Sequence, residues 1–327
     1  MRKSVSWHFG LAMSLTLALN AIGYVAYPKD ATSVLANVTL VTSWYANPEF
    51  GGEYEALRTG MFKKAGLEVR IRQGGPTVST VTMVASGRAQ FGIDTADNLL
   101  EARGNGIPLV AVAAIFQTSP LALMYHSSHP LKSFSDLNGR TVIVSPAQAY
   151  WLYIEKKYNI HAHVLNETAP LSAVFLNDPT AVQVCFATNE PYYAKKKGYD
   201  VGYKLVADAG FNPYPDVIYT TESFLRSHPD VVKKFVHVSL QAWSKYLASP
   251  VKTNQYMQKL NPNMDMGGAM YELMTEKPLA FGGDAKTHGI GYMSKSRWAI
   301  LYRQMMGVGA IKHPFNVNDA FTTRFIE

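Results

Sequence analysis

Strand-like and helix-like segments alternate along most of this chain, and that alternation narrows its fold more than any single residue does. Residues 38–42 alternate apolar and polar and lead into an aromatic loop over 43–52. Residues 53–65 read as a helix, with Leu57, Met61 and Phe62 at helical spacing and Gly66 as its stop. Residues 67–72 alternate apolar and charged side chains, as a half-buried strand does. After Gly74, Gly75 and Pro76, Thr77 is placed to cap a helix over 78–86. Residues 90–93 form a third strand, Asp94 or Thr95 caps a helix running through Ala102, and 109–116 is a fully apolar fourth strand. Repeated β-loop-α-β units predict an α/β fold whose sheet is largely parallel, with helices on both faces.

The style changes at residues 121–126, a strand followed by Ser127-Ser128-His129-Pro130, which is expected to carry the chain into a second lobe. A new series follows: Ser133 and Asp136 at capping-pair spacing, a strand over 141–144, a helix over 150–158 ending near Asn159, and strands over 182–186 and 204–207. The chain is expected to cross back at 217–221 and to finish in helices, the longest over 230–248. The expected organisation is a leader over 1–36, a first lobe over 37–124, a second over 125–216, and a return to the first over 217–327. Two linking strands make such a molecule a hinge, and the stretch from Asn37 onward is longer than one core usually serves.

Arg2 and Lys3 precede an apolar run from Phe9 to Tyr27, and Pro28, Lys29 and Asp30 end it. Val34-Leu35-Ala36 offers the residues a signal peptidase accepts, so cleavage after Ala36 and a periplasmic location are expected. An uncleaved anchor is the rival reading, because the run approaches the roughly 20 residues that span a bilayer. A lipid anchor needs a Cys there, and the single Cys of the chain is Cys185. One Cys allows no intrachain disulfide, and its apolar surroundings suit a buried, inert thiol. The formal charge of +7 is scattered, with one dense run at Lys195-Lys196-Lys197 that suits the solvated end of a helix. No basic stripe interleaved with aromatics points to nucleic acid.

In open α/β sheets ligands gather at the C-terminal ends of strands. Four loops are expected to meet there. They carry Trp44, Tyr45 and Asn47; Gly75 and Thr77; Tyr150 and Trp151; and Asn189, Glu190 and Tyr192. Each has an ordinary alternative: Trp44 and Tyr45 as core aromatics, Asn189 as a helix cap, Glu190 paired with a Lys or held by backbone amides. Asp94 and Asp97 suit caps and surface charges, and Tyr214, between Pro213 and Pro215, suits a rim or a stiff connection. None of the four loops carries Arg, which a sulfonate, nitrate or phosphate site would favour. Aromatic walls with one acid predict a planar, neutral to cationic ligand bearing amino or amidine-like donors. His126 and His129 lack a third partner at metal-ligand spacing, so no metal is expected. No G-x-S-x-G, Walker loop or H-E-x-x-H occurs, Gly104-Asn105-Gly106 reads as a turn, and no cofactor is expected.

These loops resemble those of the ABC-importer binding proteins related to the thiamine-pyrimidine synthases of fungi, a group that also includes binding proteins for formylaminopyrimidine and, more distantly, sulfonates and nitrate. The likeness rests on the Trp44-to-Asn47 loop, Phe91-Gly92-Ile93, Tyr150-Trp151, the Thr188-Asn189-Glu190-Pro191 core, Ala242-Trp243, Trp298 and Thr322-Thr323-Arg324-Phe325. It implies a type II periplasmic-binding-protein fold, two lobes joined by two crossover strands, that closes on a small-molecule ligand and docks as a monomer on a membrane permease. It further implies that Trp44, Tyr45, Asn47, Glu190 and Tyr192 form a pyrimidine site. The Cys-rich C-C-C-F-C run of the synthases is missing; Phe211-Asn212-Pro213-Tyr214-Pro215 stands in its place. A binding protein is therefore expected, with a sulfonate or nitrate carrier, a synthase-type enzyme and a tethered sensor as alternatives.

Overall fold

The computed structural model describes residues 35–280 and 282–326. The expected leader lies outside them apart from Leu35 and Ala36, and Ala36 is already the first residue of a strand. In chain order the strands are β1 (Ala36–Val41), β2 (Leu67–Arg72), β3 (Phe91–Asp94), β4 (Leu109–Ala114), β5 (Leu121–His126), β6 (Thr141–Val144), β7 (His163–Asn166), β8 (Val182–Phe186), β9 (Val201–Leu205) and β10 (Val217–Thr221). They form two sheets, with orders β2-β1-β3-β10-β4 and β7-β6-β8-β5-β9.

Each sheet is parallel except for one strand. β10 runs antiparallel between β3 and β4, and β5 antiparallel between β8 and β9. These two are the strands that the chain makes immediately after changing sheets, when no crossover helix has turned it around. The changes fall within 115–120 and 206–216, and the two segments are tied together: Ile115 N–H donates to Asp216 O at 2.8 Å and Ser119 N–H to Asn212 Oδ1 at 2.9 Å.

The boundary expected at 124/125 thus falls inside β5, which pairs along its length with β8 and β9. Its apolar side chains are needed to fill the second sheet, so the chain crosses earlier. Other expectations shift for local reasons. The helix expected over 53–65 is two helices, Gly51–Arg58 and Met61–Lys64. They part where Thr59 Oγ1 folds back onto Glu55 O at 2.6 Å and Gly60 turns left-handed. Ser79, not Thr77, caps the helix Thr80–Ala85. Thr95 caps Ala96–Gly104, and Ser133 with Asp136 forms a capping box. β7 has no apolar face, being mostly exposed at a sheet edge, and so left no periodic signal.

The first sheet is covered by helix Pro229–Ala248, where Phe62, Phe91 and Phe235 stack at 5.2 and 4.1 Å. Gly51 and Gly52 let the next helix lie directly against the rings of Tyr246 and Trp243. Helix Lys295–Gly307 packs Trp298 flat on Phe321 at 5.3 Å. From the same helix Arg297 reaches Asn212 O at 3.2 Å and Gln304 reaches Gly210 O at 2.8 Å, on the second crossing segment.

Candidate functional site

The parallel strands of each sheet end facing a common cleft of about 360 Å3. Trp44, Tyr45 and Asn47 form its first wall, on the loop after β1. That loop is held by its neighbour: Gly74 N–H donates to Trp44 O at 3.0 Å, Gly75 N–H to Ser43 O at 3.2 Å, and Ala46 N–H to Gln73 Oε1 at 2.9 Å. Gly75 has φ +133, and a side chain there would meet the Tyr45 ring at 2.9 Å. Its part is therefore to seat Tyr45 rather than to touch a ligand. Trp44 and Tyr45 meet edge to face at 5.5 Å and stay 43% and 45% exposed, an unusual state for a fixed aromatic pair.

The second wall is Thr188, Asn189 and Tyr193, after β8. Asn189 precedes helix Glu190–Lys196 without its side chain capping it, so the amide is left for the cleft. Glu190 turns the other way. Its Oε2 accepts the Phe186 N–H at 2.6 Å, and burial pushes the carboxyl up to about 7. Tyr192 also lies behind the wall, donating to Asp265 Oδ2 at 3.1 Å and packing on Tyr271 at 5.6 Å. The second wall is thus the backbone ordinary reading for Glu190 combined with a bracing role for Tyr192.

Tyr150, Trp151 and Thr77 are placed elsewhere. The helix Ala149–Tyr158 turns its 150–151–154 face inward, burying Trp151 and Ile154 completely and Tyr150 nearly so. Trp151 belongs to the core, and Tyr150 lies beneath Ser145 and Glu167. Thr77 is exposed and does not line the cleft.

A third wall was not anticipated. It comprises Asn261, Asn263, Asp265, Gly268 and Glu272, leading into and along helix Met266–Ala280. Asn261 Nδ2 ties it to Ala46 O at 3.0 Å, and Lys196 Nζ ties it to the second wall through Asp265 Oδ2 at 2.6 Å. A side chain on Gly268 would lie 2.9 Å from Tyr193 Oη, so the glycine permits the tyrosine to close over it. The available signals were Pro262-Asn263 before a Gly267-Gly268 pair, and Glu272 and Glu276 at i,i+4 on an otherwise apolar helix.

The electrostatics centre on those acids. Glu272 Oε1 accepts the Glu49 N–H at 3.2 Å, and Glu276, Asp216 and Glu53 continue a buried row behind it. Burial, reinforced by their mutual repulsion, raises Glu272, Glu276 and Asp216; burial alone pushes Glu53 up to about 8. Glu49 pairs with Asp216 and Glu272 with Glu276, each pair sharing a proton. No Lys, Arg or His lines the cleft. Cys185 is buried away from it with its thiol pushed well up, and Phe211–Pro215 forms part of the second crossing, where Arg297 lies 3.8 Å over the Tyr214 ring.

The sequence profile described as NMT1/THI5 like matches residues 47–253, more than half of the chain. The chain belongs to the NMT1/THI5-like family. Within reach of this family member is the riboflavin-binding protein RibY of Chloroflexus aurantiacus, 26% identical over 312 residues that cover 91% of this chain and 88% of the relative. The formylaminopyrimidine-binding protein of Halalkalibacterium halodurans is 22% identical over 66% of this chain and 68% of its own. Among solved structures, the periplasmic aliphatic sulphonate binding protein SsuA of Escherichia coli superposes with a TM-score of 0.69 at 10% identity, covering 88% of this chain and 92% of that one. The NMT1/THI5-like chain therefore has the periplasmic-binding-protein fold expected from its sequence.

Proposed function

We propose that this protein is the substrate-binding component of an ABC importer, exported to the periplasm, and that it clamps a planar heterocycle bearing N–H donors. The observation that carries the reading is the fixed but exposed Trp44–Tyr45 pair facing Asn47, Asn189 and Glu272 across a cleft free of cationic side chains. Rings stack on the aromatics, while the amide and carboxyl oxygens accept from the ring's donors. The sheets open and close about the 115–120 and 206–216 segments, and a ligand that touches all three walls favours the closed form. The names of the riboflavin- and formylaminopyrimidine-binding relatives support a ligand of this class.

A synthase-type enzyme is disfavoured because the segment that would hold the Cys-rich run here links the lobes through Asn212 and Tyr214. The permease partner, the monomeric state and cleavage of the leader belong to the same proposal.

A thermal-shift and fluorescence screen tests it, using riboflavin, aminopyrimidines, taurine, alkanesulfonates and nitrate. Riboflavin or an aminopyrimidine at a hundred times its dissociation constant adds about 2.7 kcal/mol to the folded state, a shift of several degrees. Trp44→Ala is expected to weaken that binding about tenfold or more without lowering the melting temperature of the unliganded protein. A response confined to taurine, sulfonates or nitrate overturns the proposed ligand class.

A further inference from the structure

The third wall offers acceptors and no compensating charge. Glu272 lines the cleft at 7% exposure, and Asn47 Oδ1 beside it is buried with no partner. Behind them, Oε2 of Glu276 and Oε2 of Glu53 are also unpartnered, in residues 3% and 0% exposed. Glu49 and Asp216 extend the row. The nearest cation, Lys196, is taken by Asp265 at the rim.

One feature works in the opposite sense. The N-terminus of helix Met266–Ala280 points to the same region, and helix N-termini attract anions. Asp265 already fills that place: its Oδ1 accepts the Gly267 N–H at 3.2 Å and its carbonyl the Ala269 N–H at 2.8 Å. An anionic ligand would meet a row of carboxyls with no Arg or Lys to receive it, which is how a site rejects one form of a molecule while keeping another.

We propose that Glu272 is the specificity-determining residue of this cleft, admitting a planar heterocycle by its N–H donor edge and excluding the phosphate ester of the same molecule. The inference rests on the ligand-binding reading above. It adds that the importer takes the free compound and leaves the phosphorylated form behind.

Two matched pairs test it: riboflavin with riboflavin 5′-phosphate by fluorescence titration, and 4-amino-5-hydroxymethyl-2-methylpyrimidine with its phosphate by calorimetry. In each pair that binds, the ester is expected to be at least about tenfold weaker, because nearby like charges are poorly screened in a part-buried site. Glu272→Gln keeps the acceptor for Glu49 N–H and should narrow the gap. Asn47→Asp adds a charge to the same wall and should widen it. Equal affinity for the two members of a pair overturns the inference while leaving the binding reading intact. So does a gap that neither variant moves. Should Glu272→Gln fail to fold, the wild-type ratio and Asn47→Asp still decide. If no member of either pair binds, the binding reading itself fails and the inference falls with it.

Discussion

Gly52→Ala should lower the melting temperature by about 5–10 °C, although alanine is the better helix former. At most helical positions that exchange gains about 1 kcal/mol. Here the added carbon would sit inside the indole of Trp243, a ring that is fully buried. Trp243 has nowhere to go. Its Nε1 donates to Glu53 Oε1 at 3.3 Å, and Phe116 and Tyr246 meet it edge to face at 5.3 and 5.7 Å. Overfilling such a core costs about 1–3 kcal/mol and sometimes more, and each kcal/mol moves the midpoint by about 2–4 °C in a chain somewhat smaller than this one. Differential scanning calorimetry decides the sign. A midpoint equal to or above that of the wild type would mean that the two helices do not meet through these glycines.

The second large effect is on pH. Between about pH 5 and pH 8 the protein should lose stability as the pH rises, the reverse of what most carboxyl-rich proteins do over the acid range. Glu53 ionises near its ordinary 4.5 in the unfolded chain and only at about 8 in the folded one. Across that window the folded state holds a proton that the unfolded state has released, so each rising pH unit favours unfolding by about 1.4 kcal/mol for such a group at most. Glu272, Glu276 and Asp216 are raised as well and act in the same direction. Asp178 and Asp265 are lowered by their own hydrogen bonds and act oppositely, below their ordinary range, so stability should peak in mild acid. Glu53→Gln removes one titrating group and leaves an amide oxygen for the Trp243 N–H. Its melting temperature should depend less steeply on pH and exceed that of the wild type at pH 8. A wild-type profile that is flat or rising from pH 5 to 8 would show that these acids are solvated rather than sealed.

The fold was legible because it is written in local patterns. Alternating segments such as 67–72, glycine stops such as Gly66 and caps such as Thr95 depend on residues close in sequence, and these patterns recur in the structure. The first wall of the cleft was legible for the same reason, since Trp44, Tyr45 and Asn47 follow a strand directly. The rest of the site was hidden by choices that only tertiary packing makes. Whether Trp151 faces ligand or core depends on which side of its helix meets the second sheet. Whether Glu190 reaches out or back depends on a bare N–H at Phe186. The wall from Asn261 to Glu272 lies more than two hundred residues from Trp44 in sequence, joined to it by Asn261 and Glu49, and no motif spans such a distance.

The two reversed strands also set an order of assembly. The second sheet is built entirely from consecutive strands, β5 through β9, so all its members are present once the chain has emerged as far as Leu205. The first sheet cannot be finished then, because β3 and β4 touch only through β10, which comes later. A chain made or exported from its N-terminus therefore completes its second lobe while the first still has an open slot lined by two apolar edges. We infer that this slot is the stage at which a secretory chaperone would hold the protein. Pulse-labelled hydrogen exchange during refolding should find the β5–β8 amides protected before those of Val217–Thr221, and simultaneous protection of both would remove the basis for such an intermediate.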